Sequence, residues 1–186
     1  MSLDALKPRP VFSEQLEIGG WTLSDLSELP LVNLSIPLGD EAAVVTALDA
    51  AGLAWPVPGQ SVGNAARGLL RMGGDNALVF GMPLEALSDA LGDTAWLTDQ
   101  SDTWVGLRLT GGDPRAALAY LCALDLADSA FPDGAGARTR MAHLSVILLR
   151  QSAEDWWFWA PRSSIESFIH ALKDAFRLAE RRKRAT

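Results

Sequence analysis

The feature that most limits how this chain can fold is an internal repetition. The stretch LLRMGGDNALVFGMPLEALSDAL, starting at Leu69, has a counterpart in LLRQSAEDWWFWAPRSSIESFIHAL, starting at Leu148. Each runs through Leu-Leu-Arg, a polar turn, an apolar run, a proline and an amphipathic stretch ending in Ala-Leu. The spacing of about 80 residues is longer than the roughly 20–50 of stacked repeats. It predicts two related lobes, each a sheet with helices packed on it, and not an array.

The elements around each repeat predict a βαββα order, a ferredoxin-like α+β plan. In the first lobe, Leu31–Ile36 is a strand closed by Pro37, and Asp40 is placed to cap a helix over Glu41–Ala51 that stops at Gly52. Two apolar runs, Gly68–Met72 and Ala77–Gly81, flank the hairpin signal GGDN. Pro83 opens a helix carrying Leu84, Leu87 and Leu91 on one face, and Thr94–Thr98 is a short last strand. In the second lobe, Thr103–Thr110 alternates Val105, Leu107 and Leu109 against Trp104, Gly106 and Arg108, the period of a half-buried strand. Asp113-Pro114 predicts a helix to about Leu121. The run Ala137–Arg150 returns through QSAED into DWWFWA, and Ser163-x-x-Glu166 reads as a capping box for a helix with Ile165, Phe168, Ile169, Leu172 and Phe176 buried. The predicted division is an N-terminal extension over 1–29, lobes over 30–98 and 99–176, and a basic tail over 177–186. The second lobe is short of one strand, which points to an edge strand shared or exchanged between lobes.

Composition narrows the function. Of the 186 residues 48% are hydrophobic and 21% charged, values of an ordinary folded protein. No apolar run is long enough to cross a bilayer, and acidic residues near the N-terminus are unlike a signal peptide, so a cytoplasmic location is expected. The net charge is −7; residues 177–186 carry a net +4, leaving −11 on the remainder. Such a body repels a nucleic-acid backbone, and the basic tail reads as a solvated helix end. One cysteine, Cys122, excludes an intrachain disulfide or a thiolate-built metal site, and two histidines, His143 and His170, are too few for a cluster; no metal is expected.

The candidate catalytic groups have plain readings. Cys122 sits at the apolar end of a helix with no visible base to activate it, and reads as a small buried hydrophobe. Asp99 and Asp102 flank a turn, where aspartate is favoured for its local hydrogen bonds. His143 lacks a nucleophile elbow and reads as a strand residue at an interface. Gly134-x-Gly136 is too little for a dinucleotide fingerprint. Tryptophan stands out: seven in all, three of them in Trp156-Trp157-Phe158-Trp159. Strand alternation puts Trp156 and Phe158 on one face and Trp157 and Trp159 on the other. A core covers one face; the other, with Arg138, Arg140 and His143 nearby, is the candidate contact with a partner subunit.

The segments DQSDTWVGLRLTG, CALDL, FPDGAGARTRMAHLSVILLR and APRSS, in that order, resemble the gamma subunit of bacterial heterotetrameric sarcosine oxidase, from about Thr98 to Leu172. Ala123 stands where the pattern has proline. The resemblance implies a fold like the N-terminal region of glycine-cleavage aminomethyltransferase, and assembly with alpha, beta and delta subunits, mainly with alpha. Such a complex oxidatively demethylates sarcosine to glycine, reduces oxygen to hydrogen peroxide and passes a one-carbon unit to tetrahydrofolate. The resemblance places FAD and FMN, NAD, tetrahydrofolate and zinc on the other subunits and no catalytic residue on gamma. A rival reading is a free-standing folate-binding or one-carbon-transfer protein, with Asp99, Asp102, Trp104 and Arg108 assembling a site in which a carboxylate holds the pterin and an aromatic or arginine seats the rest; a third is a homodimer covering its own tryptophans.

Overall fold

Two short strands, β1 (Leu16–Ile18) and β2 (Trp21–Asp25), occupy the stretch expected as an extension. They belong to the second lobe: β2 pairs antiparallel with β8 (Trp104–Thr110), Leu23 opposite Leu109. The computed structural model describes residues 10–12 and 15–185. Its chain divides into two compact units, one over Glu28–Asp102 and one joining the segment up to Ser27 to the chain from Thr103 onward.

The first unit holds β3 (Leu31–Ser35), α1 (Glu41–Ala50), β4 (Ser61–Gly63), β5 (Gly68–Arg71), β6 (Asn76–Phe80), α2 (Leu84–Leu91) and β7 (Trp96–Asp99). The strands form one antiparallel sheet in the order β4-β5-β6-β3-β7. Period-two alternation places Val32, Leu34, Leu69, Ala77 and Val79 on one face, where they pack on Val44 and Leu48 of α1 and Leu87 and Leu91 of α2. Asp40 does not cap α1 with its side chain. Its backbone sits at φ −99°, ψ 7°, not in the extended conformation from which a cap carboxylate reaches the first amides. After β6 the chain turns at Gly81, whose φ of +76° suits glycine and whose absent Cβ would meet the Ala66 carbonyl oxygen at 1.8 Å.

The second unit continues with β8, α3 (Arg115–Leu118), β9 (Gly136–Met141), β10 (Leu144–Ser152), β11 (Asp155–Pro161) and α4 (Ile165–Arg184). Its six strands run β1-β2-β8-β11-β10-β9. Leu23, Val105, Leu107, Leu109, Val146, Leu148, Trp156 and Phe158 project from one face onto Phe168, Leu172 and Phe176 of α4. Aromatic rings seal the contact edge to face, Phe158 on Phe168 at 5.8 Å and Trp21 on Phe176 at 4.6 Å. Two antiparallel sheets, each with helices on it, make this an α+β fold of the predicted kind.

Several local expectations are corrected. The run Ala137–Arg150 is two strands, divided by a turn at Ala142 and His143 with φ of 48° and 69°. His143 is therefore a turn residue. The helix after Pro114 ends at Leu118, not Leu121. The capping box does not form, because Arg162–Ser164 make a 3-10 turn and α4 starts at Ile165 without a side-chain cap bond. The stretch expected as a tail from residue 177 is helix through Arg184, with Ala179 buried against the core.

Candidate functional site

The five residues expected at a partner contact separate into two groups. Trp157 and Trp159 are buried within the chain itself, at 0% and 1% exposure, their rings 5.9 Å apart. Gly106 lies opposite Trp159 in the β8–β11 ladder, and a Cβ there would stand 3.2 Å from the indole nitrogen. The two indoles expected at a partner contact are therefore not exposed in this chain, and they lie on the face of β11 opposite the one that packs on α4. The Trp157 indole N–H donates to Asp155 Oδ1 at 2.9 Å, and Asp155 also accepts two bonds from Arg108, at 2.9 and 2.8 Å. That bidentate pair raises the Arg108 pKa above its ordinary value, chiefly through the hydrogen bond.

Arg138, Arg140 and His143 are exposed. Arg138 lies over the Trp104 ring at 5.3 Å and donates from Nε to Ser145 Oγ at 2.9 Å. Arg140 and His143 line a hollow of about 450 Å³ together with Tyr120 and Cys122. Cys122 is half-buried, and desolvation pushes its thiol pKa up, so it is a poor nucleophile at neutral pH. A second hollow of about 500 Å³ shares Ala119 and Tyr120 with the first and is walled by Arg182 and Lys183. Tyr120 is 44% exposed, and Arg182 Nη1 lies 3.4 Å from its hydroxyl.

Of the four residues of the rival folate site, Asp99, Trp104 and Arg108 make contacts within the chain. Asp99 Oδ1 accepts the Ser101 N–H at 2.9 Å, and Ser101 Oγ in turn accepts the Leu31 N–H at 3.1 Å, which ties the end of β7 to the start of β3. Asp102 is exposed. The Arg108 guanidinium is held by Asp155, and Trp104 carries Arg138.

Sequence reasoning missed a second charged assembly in the same unit. Arg150 is 4% exposed at the end of an apolar run, with Nη1 2.8 Å from the Phe131 carbonyl and 2.6 Å from Asp128 Oδ1. Its Nε lies 2.8 Å from Asp133 Oδ1, although the N–H is not aimed for a hydrogen bond. Arg115 bridges Asp113 and Asp128 at 2.8 and 3.0 Å. The Arg115 hydrogen bond holds the Asp113 carboxyl below its usual range, and the Arg150 hydrogen bond does the same for Asp128. The sole sequence signal was an arginine closing the run LSVILLR. Among the described residues no group of three or more histidine, cysteine, aspartate or glutamate side chains is arranged to hold a metal ion, and no helix is long and apolar enough to cross a membrane.

This geometry defines a class first: a two-unit α+β scaffold whose polar clusters stitch loops together, with a basic hollow around Tyr120 on the second unit. No protein-family model matches the chain, and no curated protein matches it. Solved structures do. The chain is similar to a chain of the heterotetrameric sarcosine oxidase of Corynebacterium sp. U-96, determined in complex with pyrrole 2-carboxylate, at 25% identity and a TM-score of 0.74, covering 89% of this chain and 88% of that one. It is also similar in fold to the glycine cleavage system aminomethyltransferase T of Bartonella henselae, at 20% identity and a TM-score of 0.55, covering 81% of this chain and 44% of that one.

Proposed function

We propose that this chain is the non-catalytic gamma subunit of a heterotetrameric sarcosine oxidase, acting in assembly with the alpha, beta and delta subunits and chiefly with alpha. The complex oxidatively demethylates sarcosine to glycine in the cytoplasm, produces hydrogen peroxide and delivers the one-carbon unit to tetrahydrofolate. FAD, FMN, NAD, tetrahydrofolate and zinc reside on the other subunits. One observation carries this reading: the likeness to the Corynebacterium oxidase takes in nearly all of both chains. It therefore spans most of one chain of an oligomeric oxidase. The aminomethyltransferase likeness, in contrast, takes in 44% of that enzyme and supports shared architecture alone. A scaffold role also agrees with where the polar side chains go, since Arg108, Asp155, Arg115 and Arg150 are spent on internal pairs.

The test is co-expression of the tagged chain with the oxidase subunits encoded beside it. Recovery of all four chains in equal amounts, with flavin absorbance in the eluate, is the expected result. Recovery of the tagged chain alone, or saturable micromolar binding of tetrahydrofolate to it, overturns the proposal; the second outcome favours the free-standing folate-binding protein.

A further inference from the structure

We infer that the trough formed by the two hollows on either side of Tyr120 docks an extended, acidic segment of a partner polypeptide. The inference rests on the subunit reading above and adds to it the contact surface and the chemistry of what fills it. The hollows share Ala119 and Tyr120, so they adjoin one another on the second unit. Arg140 stands at one end, beside His143, and Arg182 with Lys183 at the other. Beside Tyr120, Arg182 and Lys183, the remaining lining of the second hollow is small, namely Ala116, Ala119 and Ala179. No carboxylate is among the described residues that line either hollow. In a chain of net charge −7, this lining is locally positive, with Arg182 and Lys183 coming from the basic end of α4 and Arg140 from the more acidic remainder.

A second observation is independent of charge. The hairpin turn that forms one wall places two residues with side chains, Ala142 and His143, at φ of 48° and 69°, where glycine or asparagine is ordinarily found. The Ala142 N–H donates to the Leu121 carbonyl at 3.0 Å, which fastens the turn to the chain segment carrying Tyr120 and Cys122. A left-handed backbone held at non-glycine residues is a sign of a surface kept in one shape. Tyr120 and Lys183 are likewise positioned, the first by Arg182 at 3.4 Å and the second over the Trp21 ring at 5.3 Å. A prearranged trough with an aromatic centre and cationic ends fits an acidic strand or loop laid along it, with ordering cost already met on this side. A second copy of this chain is the poorer occupant, because each copy brings a net charge of −7.

The experiment uses the co-expressed oxidase subunits as the probe. Arg140→Glu combined with Lys183→Glu should lower recovery of the partner subunits by about tenfold or more, as loss of charge-complementary contacts at an interface does. Arg177→Glu, on α4 and outside the trough, should leave recovery unchanged. The wild-type assembly should also come apart as salt is raised, and the double variant should show the weaker salt dependence. Both substituted residues are exposed, so circular dichroism and the melting midpoint of the isolated chain should match wild type; if they do not, Arg140→Gln with Lys183→Gln carries the same test. Full recovery with the trough variants overturns the inference while leaving the subunit reading in place. Failure of the wild-type chain to recover partners overturns both. A homodimer that the double variant dissolves overturns the partner and assigns the trough to a second copy.

Discussion

At the scale of single residues, an arginine that the sequence hardly advertises ties several loops of the second unit together. Arg150 closes an apolar strand, yet its guanidinium is buried with a carbonyl and two carboxylates around it and Trp156 beneath at 5.5 Å. Removing it strands the Phe131 carbonyl and frees the loop carrying Asp128 and Asp133. Arg150→Met should cost about 2–4 kcal/mol, measured by urea unfolding. The same cluster sets a pH dependence. Asp113 and Asp128 have folded pKa values below their unfolded ones, so they contribute stability that is fully present above the ordinary carboxylate range and is lost as pH falls through the folded values. The melting midpoint should therefore drop below about pH 4, and Arg150→Met should show a shallower drop because Asp128 has lost its main partner. The tryptophans teach the opposite lesson. Alternation along DWWFWA was legible, but what covers each face was not, because a strand's pattern states that two faces are apolar and not what lies against them. With both indoles buried, Trp159→Ala should destabilise the isolated chain by about 3–5 kcal/mol in the same urea experiment, an effect that needs no partner.

At the scale of elements, the helices and most of the longer strands could be read, whereas β1, β2, β4 and the division between β9 and β10 could not, nor could several of the ends. Strand β8 follows its alternation from Trp104 to Thr110, and α2 runs over Leu84–Leu91, flanked by Pro83 and Gly92, as its apolar spacing requires. The β9–β10 hairpin was hidden for a physical reason: Ala142-His143 carries none of the glycine or asparagine that usually marks a left-handed turn, so two strands looked like one. His143→Gly should relieve the left-handed strain and raise stability by about 0.5–1 kcal/mol, seen as a higher melting midpoint. A lower midpoint would show that the imidazole makes a stabilising contact larger than that strain. Helix α4 outran its predicted end for a related reason. Charge clusters resemble tails, but Ala179 continues the buried stripe past Phe176, and cations in the last turn suit a helix C-terminus. The Tyr120 trough was illegible because it joins α3's exit, a hairpin turn and the end of α4, three places far apart in sequence.

At the scale of the whole chain, the repetition visible at Leu69 and Leu148 extends to topology, with one exchange. The first sheet runs β4-β5-β6-β3-β7 and the second β9-β10-β11-β8-β2-β1, so β2 fills beside β8 the place that β7 fills beside β3. The missing strand of the second lobe thus comes from the chain's beginning, ahead of the first lobe. The sequence could indicate that a strand was lacking but not where it came from, because β2 is a five-residue segment whose pairing partner lies about 80 residues away. The exchange makes a sharp prediction for a chain that starts at Glu28. It loses Ile18, Trp21 and Leu23 from the second core, at about 1.5–3 kcal/mol for each large side chain, and it uncovers the backbone edge of β8. That sum approaches the roughly 5–15 kcal/mol by which a domain is stable. Hydrogen exchange read by mass spectrometry should find amides of β10 and β11 unprotected in the truncated chain, with β3 and β6 of the first unit still protected. Adding a synthetic peptide of residues 10–27 should restore protection to β8, β10 and β11 in proportion to its concentration, since a ligand that binds only the folded form stabilises it by mass action. If β10 stays protected in the truncated chain without the peptide, the strand pair from the N-terminus decorates a core that is already complete, and the exchange carries no energetic weight.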